Sequence, residues 1–190
     1  MNQKQAKELV RSRLSDKRYE HTLNVKKWPL SWRSATASMR TRLRWPPCST
    51  IRPRRSPRRD ARLMRQYPQY AEGGEERPAS VWHGICAAIL ARTQWGVEDE
   101  AILSAIACHT AGRAGMSKLD KVVYLADMTS KERDWPGVGK LRKLEMKDLD
   151  AAMLAALKQT NDFVLSQGKP LDPRSVAAYE DILAHQKKEC

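Results

Sequence analysis

Nowhere in this 190-residue chain do about 18 apolar residues run together, so no segment reads as a helix able to span a bilayer. Residues 1–20 are charged where a secretory leader would need an apolar stretch, and the expectation is a soluble, cytoplasmic chain with no membrane partner. Cysteine is sparse. Cys48, Cys86, Cys108 and Cys190 lack C-x-x-C spacing, and two of the four sit inside apolar helical patterns where a reduced thiol acts as a small hydrophobe. Neither a zinc knuckle nor a disulfide framework is indicated. Histidine occurs four times, no histidine is followed by aspartate, and H-E-x-x-H is absent.

What is present is enough apolar residue, 41%, to bury a substantial core, and residues 1–190 are expected to form a single domain. The net charge of +13 would ordinarily point to a polyphosphate partner, but its distribution is local. Between Trp28 and Arg62 there are ten arginines, no lysine and only Asp60 as an acid, so this stretch carries +9 and the rest of the chain +4. It also holds three of the six tryptophans and five of the ten prolines, with no sustained period of 3.6 or 2. Residues 28–60 are therefore anomalous and are expected to be poorly ordered.

Elsewhere the pattern is helical throughout. Helices are expected over Asn2 to Arg13, from the N-cap Ser15 through Val25, and, briefly, from Arg62 to Tyr67. Gly73-Gly74 and Pro78 mark a loop. Ser80 to Trp95 and Glu98 to His109 follow, parted by Gly96, a residue suited to a C-cap. The turn Gly112 to Gly115 leads to Ser117, the N-cap of a helix over Lys118 to Met128, and Pro136-Gly137 make the next break. Lys147 to Ser166 is amphipathic, Gly168 closes it, and Pro173 opens a last helix to about Gln186. The fold class is all-α.

Chemistry could reside in few places. His21, His83 and His109 each lie within or at the end of a helix with an apolar face, where a lone histidine also reads as a hydrogen-bonded core or surface residue. Asp127 is different. It follows Val122 to Ala126, an apolar turn in which an unpaired carboxylate would be costly, so it calls for a cation or strong donors. Imidazoles plus a carboxylate suit iron, manganese or zinc, and converging helices can assemble such a set.

Several strings occur in a shared order: Arg18-Tyr19-Glu20-His21-Thr22-Leu23, Val81-Trp82-His83-Gly84, His109 through Ser117, and Lys121-Val122-Val123-Tyr124-Leu125-Ala126-Asp127. With Arg133 to Val138 and Gly168 to Leu171, they resemble the YqeK-like HD-domain proteins, the symmetrical bis(5'-nucleosyl)-tetraphosphatases. The resemblance covers residues 15–27 and about 63–185. It implies an HD-domain helical bundle and a two-metal site of divalent ions, iron first and manganese as the alternative. It also implies symmetrical cleavage of diadenosine tetraphosphate into two ADP. His21, His83, His109 and Asp127 match four of the family's metal-binding positions. The adjacent His-Asp pair that names the superfamily is missing, and Thr129-Ser130 stand where the family commonly has Ile-Glu. No catalytic residue is assigned, because the aspartate of that pair is the one absent. Loss of two ligands is expected to leave this chain with weak metal binding and impaired turnover. Arg113, in the turn after His109, is the expected phosphate contact, with Lys118 and Arg133 as further ones; each also reads as a solvated surface charge. A dinucleoside polyphosphate is the implied partner, with a homodimer as a candidate assembly.

The gap in the resemblance coincides with the arginine-rich stretch, and a neighbouring reading frame would account for it. When each codon is rebuilt from the last base of one residue's codon and the first two of the next, Trp28-Pro29 and Trp45-Pro46 force Ala, while Ser31-Trp32 and Pro47-Cys48 permit only Leu, Met or Val. From Lys27 to Arg55 this frame admits MALELAERYGVNEDKAAVAALLHDTAKE, an amphipathic helix, a glycine turn and a second apolar helix. Its His codon spans Ser49-Thr50 and its Asp codon Thr50-Ile51. A base gained in the codons of Lys26-Lys27 and one lost near Pro57 to Asp60 would explain both edges. The alternative is a nucleic-acid-binding helical protein whose basic 28–62 segment contacts phosphates and stacks on bases.

Overall fold

The computed structural model describes residues 8, 11, 12, 16, 19–21, 23, 24 and 56–189. The arginine-rich residues 28–55, and with them any test of their expected disorder, lie outside the described residues. Their C-terminal edge does not. Pro57 opens helix α1 (Pro57–Gln66), well ahead of the expected start at Arg62, and Asp60, Ala61 and Met64 are buried. The reason is positional: at the first helical position proline forfeits no intrahelical hydrogen bond, and its fixed φ suits the turn. The expected disorder of 57–60 is corrected accordingly.

Short polar side chains set most of the remaining boundaries. After two 3₁₀ turns (Pro68–Tyr70 and Gly74–Glu76), α2 (Trp82–Trp95) ends at Gly96, which takes a left-handed φ of 63° and lets the Val97 N–H reach the Ala91 carbonyl at 3.0 Å. Asp99, one residue beyond the expected Glu98, caps α3 (Glu100–Cys108) by accepting from the Ala101 and Ile102 amides. Ser117 and Asp120 form a reciprocal capping box at the start of α4 (Lys118–Thr129). Asp148 caps α6 (Leu149–Ser166), and Pro173 opens α7 (Pro173–Glu189) as expected. Sequence reading missed α5 (Val138–Glu145). No strand occurs among the described residues, and no helix there is long and apolar enough to cross a membrane.

The largest core joins α3 to α7 around Tyr124, Leu125, Met153, Leu157 and Ile182. Each such side chain contributes roughly 1.5–3 kcal/mol of transfer free energy. A second cluster, Ala87, Ala91, Trp95, Leu103 and Ile106, lies between α2 and α3, and Tyr19 of the N-terminal helical segment packs on it. A third, Met64, Ile85, Cys86 and Ile89, joins α1 to α2. The α2–α3 crossing is unusually close. A Cβ on Gly84 would stand 2.7 Å from the Ala107 carbonyl oxygen and 3.2 Å from the His109 ring. Only glycine leaves room, and the approach brings one histidine of α2 against one at the end of α3.

Candidate active site

His83 and His109 meet at that crossing. Each ring is tied back by its Nδ1, His83 to the Ser80 carbonyl at 3.0 Å and His109 to the Ile106 carbonyl at 2.7 Å. A carbonyl only accepts, so Nδ1 carries the proton in both rings. The two Nε2 atoms are thereby turned toward each other, 3.2 Å apart, with the rings edge-on. The Thr110 hydroxyl lies 3.0 Å from the one Nε2 and 3.1 Å from the other. Burial holds His109 below the ordinary imidazole pKa, with Asp127 acting electrostatically in the opposite direction, so this ring favours its neutral form.

The second pair is His21 and Asp127. His21 belongs to the helical stretch that packs Tyr19 on the α2–α3 cluster, and its Nε2 lies 3.0 Å from Asp127 Oδ1. Its Nδ1 faces Glu132, which also accepts from Asn24 Nδ2 at 2.8 Å and Ser130 Oγ at 2.8 Å. Burial opposes a charge on His21, but the two carboxylates outweigh it and raise its pKa. Burial would likewise raise Asp127; the His21 hydrogen bond, with His109 and Arg133, overcomes it and holds the carboxyl well below the usual range. Asp127 thus has the donors that its place after an apolar turn demanded. Arg133 supplies the rest, with Nη2 at 3.1 Å from Asp127 Oδ2 and Nε at 2.9 Å from the Asp127 carbonyl oxygen.

Of the expected site residues, then, His21 and Arg133 both touch Asp127. His83 and His109 form a pair close enough for His109 and Asp127 to feel each other's charge. Arg113 is elsewhere. It donates to Ser104 Oγ and to the buried Asp120, seven residues and so roughly 10 Å along α4 from Asp127. There it borders a separate cleft of about 780 Å³ with Ser104, Ser117 and Arg174. Lys118 is exposed in the first turn of α4, farther still from Asp127. The fourth histidine, His185, is an exposed residue of α7 bonded to its own helix. Cys86 and Cys108 are buried thiols outside any disulfide, and burial together with Asp120 pushes Cys108 far up, leaving it an inert core residue.

Sequence reasoning missed Thr110, Glu132 and Arg142. The Arg142 guanidinium of α5 donates to the carbonyls of Thr129, Ser130 and Arg133 at 2.9, 2.9 and 2.7 Å. The carboxylate of Glu145, buried beside it, accepts from Thr129 Oγ1. Helix α5 therefore braces the segment that carries Asp127, Glu132 and Arg133. Among the described residues, no three His, Cys, Asp or Glu stand together as one group able to hold an ion. The donors arrive as two neighbouring pairs.

Over nearly its whole length the chain is similar to named bacterial relatives. It is 30% identical to a protein of Halalkalibacterium halodurans named bis(5'-nucleosyl)-tetraphosphatase, symmetrical, covering 98% of this chain and 100% of the relative. It is 31% identical to the Bacillus subtilis protein of the same name, over 97% of this chain and 99% of the relative. Its fold superposes with a TM-score of 0.84 on the crystal structure of a predicted HD superfamily hydrolase involved in NAD metabolism from Clostridium acetobutylicum. That match has 25% identity over 97% of this chain and 98% of the other. No family model matches.

Proposed function

From the premise that the chain belongs to the symmetrical bis(5'-nucleosyl)-tetraphosphatase family of HD hydrolases, we propose that it is a metal-dependent phosphohydrolase cleaving diadenosine tetraphosphate symmetrically into two ADP. The observation that carries the metal reading is the α2–α3 crossing. Two imidazoles whose Nδ1 atoms are fixed by backbone carbonyls turn both Nε2 atoms toward one point, beside a second pair made of an imidazole and a carboxylate. Backbone-tethered imidazoles are the usual outer-shell arrangement of histidine ligands.

In this reading His83 and His109 hold one divalent ion and His21 with Asp127 contribute to a second, with iron the first choice and manganese the alternative. Divalent ions at such a site supply Lewis acidity toward a phosphate oxygen and lower the pKa of an attacking water. The chain's own residues do the rest. Arg133, at hydrogen-bond distance from Asp127, is placed to exchange that contact for a phosphate oxygen. Arg113 and Lys118 flank the far end of α4, where a long polyphosphate could reach. Phosphoryl transfer depends on charge stabilisation and in-line placement, which fixed cations provide without covalent help.

The His-Asp pair absent from the sequence would complete the donor set, so the chain as written is proposed to bind metal weakly and turn over slowly. The nucleic-acid alternative rests on residues 28–62 and gains no support from the relatives. The deciding experiment is metal titration of the purified protein, followed by incubation with diadenosine tetraphosphate and chromatography of the products. Fewer than two tightly held ions and slow formation of ADP alone are expected. Two tightly held ions would overturn the impairment, and AMP with ATP as products would overturn the symmetrical reading.

A further inference from the structure

Beside Arg133 lies a cavity of about 370 Å³ between the α4–α5 loop and α6. Its walls are Met128, Trp135 and Phe163, with Gln159, Thr160 and Arg133 supplying the polar atoms. The volume falls within the roughly 300–1,000 Å³ of small-molecule sites. Met128 follows Asp127 directly, so the cavity begins one residue from the proposed reaction centre. We propose that it is the subsite for one purine base of the substrate, held between Trp135 and Phe163. The proposal rests on the phosphohydrolase reading above and names where one end of that substrate lies.

Three features favour a flat aromatic occupant. Phe163 is the chain's single phenylalanine, yet it is 62% exposed and lines the cavity. Trp135 is held in place: its indole N–H donates to the Met128 carbonyl at 3.1 Å, and its ring lies 3.4 Å from where a Cβ on Gly137 would be. Because Gly137 has a φ of 102°, a side chain there would be strained, and glycine leaves the indole undisturbed. A prefixed indole loses little freedom on binding a second ring system. Finally, the cavity shares Arg133 with Asp127, so one cation stands between the base subsite and the carboxylate, where the phosphates of a bound nucleotide would pass.

Recognition of the base edge falls to Gln159. The Thr160 hydroxyl already accepts from Tyr124 and donates to Met128 Sδ, whereas Gln159 is exposed at the rim, one helical turn from Phe163 on the same face of α6.

The test uses the full chain and calorimetric titration with ADP and, separately, inorganic pyrophosphate. Phe163→Ala is expected to weaken ADP binding about tenfold, the scale of one base–aromatic stack, and to leave pyrophosphate binding unchanged. Phe163→Tyr should retain the parent affinity. Exposure of Phe163 makes loss of folding an unsuitable explanation, and a thermal melt of each variant checks this. If Phe163→Ala binds ADP as the parent does, the base subsite is overturned, and continued ADP formation from diadenosine tetraphosphate would leave the hydrolase reading standing. The same holds if Phe163→Ala changes only the sedimentation of the chain, which would make the ring a contact between copies. If the parent neither binds ADP nor hydrolyses the dinucleotide, both readings fall together.

Discussion

The tightest of the glycine positions in the described structure gives the sharpest test of how the site is built. Gly84 sits in the first turn of α2, next to His83, and a methyl group there would meet the Ala107 carbonyl at 2.7 Å, the Ile106 carbonyl at 3.1 Å and His109 Cε1 at 3.2 Å. None of these is the loose end of a flexible chain. Two are backbone oxygens of α3, and the third belongs to a ring tethered by its own Nδ1. Gly84→Ala must therefore move α2 away from α3 by several tenths of an ångström. Overpacking of this kind costs roughly 1–3 kcal/mol, against which the better helix propensity of alanine returns up to about 1 kcal/mol. Taking the middle of that cost against the full return, a net loss of about 1 kcal/mol remains, or a fall in Tm of roughly 2–4 °C for a chain of this size.

Gly139 provides the matched control, because it lies in α5 with nothing within 4 Å of a would-be Cβ. Gly139→Ala should stabilise the protein by about 0.5–1 kcal/mol. Differential scanning calorimetry of the two variants reads both signs. A site effect should accompany the first: the His83–His109 spacing of 3.2 Å depends on the same crossing, so manganese affinity should fall in Gly84→Ala and hold in Gly139→Ala. A Gly84→Ala protein as stable as the parent would refute the argument that this contact fixes the crossing.

Two further substitutions probe the supports of the site. Arg142→Ala removes three charge-assisted hydrogen bonds to the carbonyls of Thr129, Ser130 and Arg133, and is expected to cost about 2–3 kcal/mol in urea unfolding; Arg142→Lys, which lacks the planar fork, should recover only part. Arg77 and Asp172 form an ion pair at 2.8 Å with both side chains under a tenth exposed, and Asp172 also caps α7. Arg77→Ala should cost roughly 3–5 kcal/mol by stranding a buried carboxylate, and a double substitution to apolar residues that is no more stable than the single one would contradict that cause. At the level of the gene, reading the coding DNA from Lys26 through Arg62 should show the neighbouring frame open through a His-Asp pair; a stop codon in that frame would dispose of the explanation.

The helices that announce themselves in the sequence are those whose ends are chemically marked. Ser117, Gly96 and Pro173 each perform a local task, and each boundary falls where that task places it. Helix α5 escaped because its apolar residues, Val138, Leu141 and Leu144, are few and set among charges. Its worth lies in Arg142 and Glu145, two residues that read as solvated surface until their partners, thirteen and sixteen positions back in the chain, are known. Pro57 misled for the opposite reason. A proline at the end of a basic, proline-rich run reads as a breaker, and only its place at the first helical position makes it a starter.

The site was legible where residue types are scarce and costly to bury. Three histidines and one carboxylate at the end of an apolar turn are few enough for their order to be informative, and the structure brings them together in two pairs. What surrounds them was not legible, because it is defined by distance across the fold. By the resemblance drawn from the sequence, Ser130 stands where an acid is expected, which taken alone removes a carboxylate from the motif. In space a carboxylate lies close by: Glu132, two residues on, faces His21 Nδ1 and is steadied by the hydroxyl of that same Ser130 and by Asn24. His21 is consequently held from behind by Glu132 while its Nε2 points at Asp127. An orienting group on the far nitrogen usually accompanies an imidazole that binds a metal, and a motif compared position by position cannot register a partner that stands two residues along the chain.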